Sequence, residues 1–130
     1  MTPRQRSRKV TVFNITFDSQ TEANRYLELR ALEERGEIAN LRVQPKYILQ
    51  PEFTMANGEK VRAITYTPDF VYYKDGSAHI EDVKGWKLDR KTGKRTPIIQ
   101  DDAELKIKML KYKYPAAIFL ITGNGYRGLE

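Results

Sequence analysis

Tyr66-Thr67-Pro68-Asp69-Phe70-Val71-Tyr72-Tyr73-Lys74-Asp75-Gly76-Ser77-Ala78-His79-Ile80-Glu81-Asp82-Val83-Lys84 reads as two β-strands joined by a tight turn. Tyr, Val, Phe and Ile fill the arms, and Lys74-Asp75-Gly76-Ser77 carries the turn chemistry. A turn centred on Asp75-Gly76 sets the register: Tyr73 faces Ala78, Val71 faces Ile80 and Asp69 faces Asp82. Opposed side chains share one sheet face, with Cβ atoms about 4.5–5.5 Å apart. Lys84, two residues beyond Asp82, points to that face as well, whereas Glu81 alternates to the other. Two carboxylates and one ammonium are therefore expected at the open end of the hairpin.

Opposed like charges weaken a sheet, and two carboxylates at close range do not both stay ionised without a cation. A hard divalent ion such as Mg²⁺ takes oxygen donors and keeps several waters, so two carboxylates suffice to hold it. Such an ion can hold a phosphate oxygen, acidify a bound water and stabilise a leaving oxygen. The plain alternative is a solvated hairpin face with one Asp–Lys ion pair, because a one-residue slip at the turn reverses every side chain.

Pro68-Asp69 followed by Asp82-Val83-Lys84 resembles the PD-(D/E)XK signature of the restriction-endonuclease-like nucleases. The wider order is similar too. Phe17-Asp18-Ser19 with Glu22-Ala23 comes first, then Gln44-Pro45, Pro68-Asp69-Phe70 and Glu81-Asp82-Val83-Lys84-Gly85. A helix with Lys106 and Lys108 follows, and then Tyr114-Pro115. This ordered set, from about Phe17 to Thr122, resembles a family of small phage-encoded proteins catalogued as a domain of unknown function and grouped with those nucleases. Relatives of that group include Holliday-junction resolvases and the endonuclease subunit of some transposons. The resemblance implies an α/β fold with a restriction-endonuclease-like αβββαβ core, a mixed central sheet flanked by helices. It also implies that Asp69, Asp82 and the Val83 backbone carbonyl bind Mg²⁺ or Mn²⁺, with Lys84 beside them and an acid from the first helix, Glu22, at the metal.

Composition narrows the field. At 130 residues the chain is long enough for one domain with its own core. It has no cysteine, which excludes disulfides and thiolate zinc sites, and a single histidine, His79, which argues against histidine-based metal sites and Ser-His catalysis. No apolar run approaches the roughly 20 residues of a membrane span and no signal peptide is visible, so no membrane partner is expected. A cytoplasmic location is expected, in a host bacterium if the gene is phage-borne. The net charge of +6 favours a polyanionic partner such as DNA.

Along the chain, residues 1–16 form a basic arm with Arg4, Arg6, Arg8 and Lys9, partly disordered, and 17–130 form the single nuclease-like domain. The arm tracks phosphates or merely solubilises. Val10-Thr11-Val12-Phe13 has the composition of an edge strand. Ser19 as N-cap, Glu22 at N3 and Gly36 as terminator define a helix over 19–36, with Ala23, Tyr26, Leu27, Leu29 and Leu32 as its apolar arc. Glu22 falls within that arc, so it either caps the Ser19 backbone or joins the acidic cluster. Arg42 to Leu49 reads as a strand interrupted by Pro45, with Gln44 reaching either nucleic acid or solvent. Ala56 to Lys60 is a turn, and Val61 onward leads into the hairpin.

After Lys84, a polar stretch carries Trp86, Lys87, Arg90, Lys91, Lys94 and Arg95. It is expected to be a basic loop or β-ribbon gripping DNA, with Trp86 as a wedge or stacking surface; the alternative is a solvated loop. A second helix over about Gln100–Tyr114 has two apolar stripes. Ala103, Ile107, Leu110 and Tyr114 suit the sheet, whereas Leu105, Met109 and Tyr112 suit another helix or a second subunit. Lys106 and Lys108 lie between them, as DNA contacts or solvated lysines. Ala116 to Thr122 reads as a strand covered on both faces and parallel to Ile80–Lys84, and Gly123-Asn124-Gly125 as a chain-end turn.

Together these readings describe a metal-dependent endodeoxyribonuclease, by analogy selective for branched DNA and homodimeric. The competing expectations are a DNA-binding scaffold that does not cut, and a sequence-specific duplex endonuclease or nickase.

Overall fold

A computed structural model describes residues 9–123 and 126–129. Arg4, Arg6 and Arg8 of the basic arm, and Asn124 and Gly125 of the expected closing turn, lie outside the described residues. Val10–Val12 (β1) pairs antiparallel with Ile15–Phe17 (β2) across Phe13 and Asn14, which both take positive φ. The first apolar stretch therefore folds back on itself instead of adding an edge to the central sheet. Val10, Val12 and Ile15 pack against the cluster that contains Phe17.

Helix α1 spans Gln20–Glu34. Ser19 caps it, its Oγ accepting from the Glu22 N–H at 3.1 Å. At the other end Glu37 N–H donates to the Leu32 carbonyl and Gly36 N–H to that of Glu33. That double bond pattern requires a left-handed residue, which Gly36 supplies at φ 78°. The expected buried arc is narrower than the sequence suggests: Ala23, Tyr26 and Leu29 are buried, while Leu27 is exposed.

Ala39–Val43 (β3) and Tyr47–Gln50 (β4) are separate strands, not one interrupted strand. Gln44 at φ 52°, followed by Pro45, turns the chain between them. Phe53–Thr54 (β5) and Lys60–Val61 (β6) form a small hairpin closed by the turn at Gly58. Ile64–Tyr66 (β7) pairs with β4, and Phe70–Lys74 (β8) pairs with Ser77–Val83 (β9). The leading arm of the hairpin is thus broken at Thr67-Pro68-Asp69, because Pro68 has no N–H to continue a ladder. Trp86–Leu88 (β10) and Arg95–Pro97 (β11) form a β-ribbon. Helix α2 spans Asp101–Lys113, and Ile118–Gly123 (β12) follows. Tyr126–Leu129 (β13) then pairs antiparallel with β12, so a further strand lies beyond the expected closing turn.

The result is a mixed α/β fold. The central sheet has the order β13-β12-β9-β8-β3, with β12 parallel to β9 and the other neighbours antiparallel. The β8–β9 register is the expected one: Val71 pairs with Ile80 and Tyr73 with Ala78. Asp75 at φ 52° and Gly76 at φ 79° form the turn, in the mirror-image conformation that suits a twisted hairpin. Strand alternation then separates two cores. Phe70 and Tyr72 face the cluster with Ala23, Tyr26 and Leu29 of α1, whereas Val71 and Ile80 face Ile107 and Leu110 of α2. The β12 run is only half covered: Leu120 and Thr122 are buried, Ile118, Phe119 and Ile121 partly so. Of the second α2 stripe, Leu105 and Tyr112 are exposed.

One polar group is locked inside the α1 side. Glu81 has no exposed surface, and all its acceptors are used. Arg25 donates to both carboxylate oxygens at 2.6 and 2.8 Å, Tyr72 Oη donates at 2.9 Å and Thr122 Oγ1 at 3.1 Å. Burial works against the Arg25 charge, but the bonds and charge of Glu81 outweigh it and raise the guanidinium pKa. Burial first, then the Glu81 charge, pushes the Tyr72 phenol up, which keeps it a donor. Breaking such a pair on one side leaves a buried charge unpaired. Arg25→Met is expected to destabilise the fold by ~3–5 kcal/mol. Adding Glu81→Gln, whose amide oxygen accepts from one of the two hydroxyls while its NH2 donates to the oxygen of the other, should recover most of that loss in urea denaturation; a double variant as unstable as the single one would show the coupling to be absent.

Candidate functional site

The interruption at Pro68 leaves the open end of the β8–β9 hairpin without ladder partners, and two aspartates take over. Asp69 N–H donates to Asp82 Oδ1 at 3.1 Å, and Val83 N–H donates to Asp69 Oδ2 at 2.7 Å. The Asp69 carbonyl accepts from Gln44 N–H at 2.9 Å, which ties the same residue to the end of β3. Each carboxylate thus completes the backbone hydrogen bonding of the other strand. Asp82 is 2 % exposed, and its Oδ2 is buried with no hydrogen-bond partner among the described residues. Lys84 Nζ stands 3.8 Å from that oxygen, a charge contact beyond hydrogen-bond length.

Glu22 completes the cluster from the first turn of α1. It acts as a cap, its Oε2 accepting from Asp18 N–H at 2.8 Å, one residue earlier than the Ser19 N–H expected from the sequence. Its charge also bears on both aspartates, raising their pKa values. Glu22 thus caps the helix at Asp18 while its charge bears on the aspartates.

The electrostatics follow from three carboxylates sharing one ammonium. Burial is the largest effect on Asp69, and the Glu22 charge adds to it; the Val83 N–H and Lys84 pull the other way, and the balance raises its pKa to about 7. Burial likewise raises Asp82 to about 6, with Lys84 and the Asp69 N–H opposing and Glu22 adding. The cluster is underneutralised near neutral pH. Among the described residues no three aspartate, glutamate, histidine or cysteine side chains stand as a finished metal cage. The donor set nevertheless suits a hard divalent cation: carboxylate oxygens, one of them buried and unpartnered, next to a region of surplus negative charge.

The other expected residues are distributed more widely. Gln44 sits at the site's edge through its backbone, while its Nε2 donates to the Thr16 carbonyl at 3.4 Å. Arg90, Lys91, Lys94 and Arg95 are exposed on the ribbon that leaves directly from Lys84. The expected roles of the Trp86 and Lys87 side chains lie outside the described residues. Lys106 and Lys108 lie on α2, and the cation acting on both aspartates is Lys84. Sequence reasoning missed Arg25. It lies one turn after Glu22 and grips Glu81, the neighbour of Asp82, so a single ion pair fixes α1 against β9 beside the acidic cluster.

A carboxyl whose folded pKa lies above its unfolded value of about 3.9 binds its proton more tightly when folded. The stability it contributes is full below about pH 4 and is lost as pH rises through 6 and 7, the values for Asp82 and Asp69. In buffer free of divalent cations, the unfolding free energy measured in urea should therefore fall between pH 5 and 8, by on the order of 4 kcal/mol. Asp69→Asn should flatten the profile and stabilise the protein at pH 8. A wild-type profile that is flat over this window would mean that the carboxylates ionise as freely in the fold as in the unfolded chain, and one that rises would mean that the fold favours their charged forms.

No curated protein matches this sequence. Residues 3–122, nearly the whole length that carries the fold and the acidic cluster, match the family described as "Protein of unknown function (DUF1064)", and the chain belongs to that family.

Proposed function

We propose that this protein is a metal-dependent endodeoxyribonuclease with a restriction-endonuclease-like core, acting preferentially on branched DNA. The observation that carries this reading is the aspartate pair, Asp82 buried and Asp69 partly so, with one unpartnered Asp82 carboxylate oxygen near an ammonium. Packing alone gives no reason for such a grouping, since an unsatisfied buried oxygen costs stability. The order α1, β3, β8, β9, α2, β12, with β12 parallel to β9, agrees with the αβββαβ arrangement and supports the reading. The spacing Asp69, Asp82, Lys84 supports it further.

In this reading Asp69, Asp82 and the Val83 carbonyl hold Mg²⁺ or Mn²⁺, with Glu22 as the additional acid. When bound, the ion supplies Lewis-acid polarisation of the phosphate and a water acidified toward neutrality. Lys84 carries N–H donors and no acceptor, so it orients the attacking water and offsets charge on the phosphate oxygens; it does not take the proton. The water oxygen gives up a proton to bulk solvent and bonds to phosphorus as the P–O3′ bond breaks. The products are a 5′-phosphate and a 3′-hydroxyl, the latter protonated by solvent. The Arg25–Glu81 pair keeps Glu22 and Asp82 in mutual register throughout. Paired cuts across a junction require two copies, for which the exposed Leu105 and Tyr112 on α2 offer an interface.

The test is incubation of labelled four-way junction, flap, single strand and plain duplex with Mg²⁺ or Mn²⁺, alongside Mn²⁺ titration calorimetry without DNA. Wild type should cut the junction. Asp82→Asn and Lys84→Ala should each lower cleavage on the order of 10²–10³-fold while DNA binding persists, and Asp82→Asn alone should also lose Mn²⁺ binding. Tight DNA binding with no cleavage of any substrate would replace the nuclease with a DNA-binding scaffold. Cleavage of plain duplex at one sequence only would remove the junction preference.

A further inference from the structure

The ribbon beyond the acidic cluster is hydrogen-bonded from base to tip. At its base, Ile98 N–H donates to the Gly85 carbonyl at 2.7 Å, and Lys84 N–H donates to the Thr122 carbonyl at 2.8 Å. The strands pair Trp86 with Pro97, Lys87 with Thr96 and Leu88 with Arg95. Asp89, the sole acid between Gly85 and Pro97, spends its carboxylate on the tip itself. Its Oδ1 accepts from Lys91 N–H at 2.8 Å, while Asp89 N–H donates to the Lys94 carbonyl at 2.8 Å and Gly93 N–H to the Asp89 carbonyl at 2.7 Å. The Oδ1 bond ties the acid to the backbone of the tip. Arg90, Lys91, Lys94 and Arg95 are left exposed around the tip.

We propose that this ribbon is a finger for the major groove of B-form DNA, and that the substrate must carry a duplex arm beside the cut phosphate. Width decides the groove. Two strands lie about 4.8 Å apart before side chains are added, which the roughly 12 Å major groove admits undistorted, whereas the roughly 6 Å minor groove takes them only if the DNA is deformed. A-form RNA presents a deep, narrow major groove that side chains cannot enter, so double-stranded RNA is excluded by shape. A single strand offers neither wall. Reach decides the length: seven residues from Lys84 to Lys91 extend at most about 24 Å, which is about seven base pairs at 3.4 Å each. The inference rests on the nuclease reading only for the position of the cut phosphate.

Fluorescence anisotropy in EDTA, with labelled 20-base-pair DNA duplex, the same sequence as RNA duplex and the single DNA strand, tests it directly. Wild type should bind duplex DNA at least tenfold more tightly than the other two. The triple variant Arg90→Gln/Lys91→Gln/Lys94→Gln, with its melting temperature as a folding control, should weaken duplex binding and make the slope of log affinity against log salt shallower by about 2.7, or 0.9 per lost phosphate contact. Dimethyl sulfate should find guanine N7, a major-groove atom, protected by wild type and open with the variant. Equal RNA binding, an unchanged salt slope or unprotected N7 would overturn the finger. These outcomes are separable from the nuclease reading. A wild type that protects N7 yet never cuts retains the finger and loses the nuclease, whereas a triple variant that binds and cuts like wild type loses the finger and keeps the nuclease.

Discussion

Two aspartate carboxylates do the work of backbone at the point where Pro68 halts a β-ladder, and the rest of the molecule is arranged around that substitution. Asp82 receives the Asp69 N–H and Asp69 receives the Val83 N–H, so the hairpin stays closed beyond its last paired residues. The cost is two acids brought close together in a partly dry setting. Their spare oxygens cannot both be satisfied by protein. One of them, Asp82 Oδ2, has a lysine within 3.8 Å and no hydrogen bond, and that mismatch separates this corner from an ordinary ion pair.

The two faces of the same strand carry opposite solutions to burying an acid. Glu81, facing α1, is saturated by a guanidinium and two hydroxyls. Asp82, facing the other way, is left short. Because Arg25 follows Glu22 by one helical turn, the saturated acid also anchors the helix that brings a third carboxylate to the unsaturated one. Structural and chemical demands on consecutive residues are thereby divided between the faces of one sheet.

The hairpin was legible because its turn chemistry is strong and its arms alternate cleanly; Val71 opposite Ile80 follows directly from Asp75-Gly76. Helix α1 was legible from Ser19, Glu22 and Gly36: Ser19 and Gly36 make the contacts their types imply, and Glu22 caps one residue earlier than its spacing suggests. The short strands were harder. Val10–Val12 has strand composition, but the positive φ values at Phe13 and Asn14 return it onto Ile15–Phe17, and although Asn14 suits such a turn, Phe13 before it does not announce one. Pro45 signalled a break without revealing that β3 and β4 enter different sheets. Arg25 was invisible for another reason: its partner lies 56 residues away, and nothing local marks an arginine on a helix flank as buried. Leu27 misled in the opposite sense, as an apolar residue on the rim of a stripe too narrow to cover it.

Adjacent acids in a strand pose an ambiguity of alignment, and the Glu81 pocket resolves it. A chain slipped by a single position at the Asp75–Gly76 turn would set Glu81 against Asp69 and direct Asp82 toward Arg25. Aspartate is one methylene shorter than glutamate, too short to meet the guanidinium, the Tyr72 phenol and the Thr122 hydroxyl together. The wrong alignment would strand all three in the interior, so side-chain length proofreads which of two neighbouring carboxylates reaches the acidic corner.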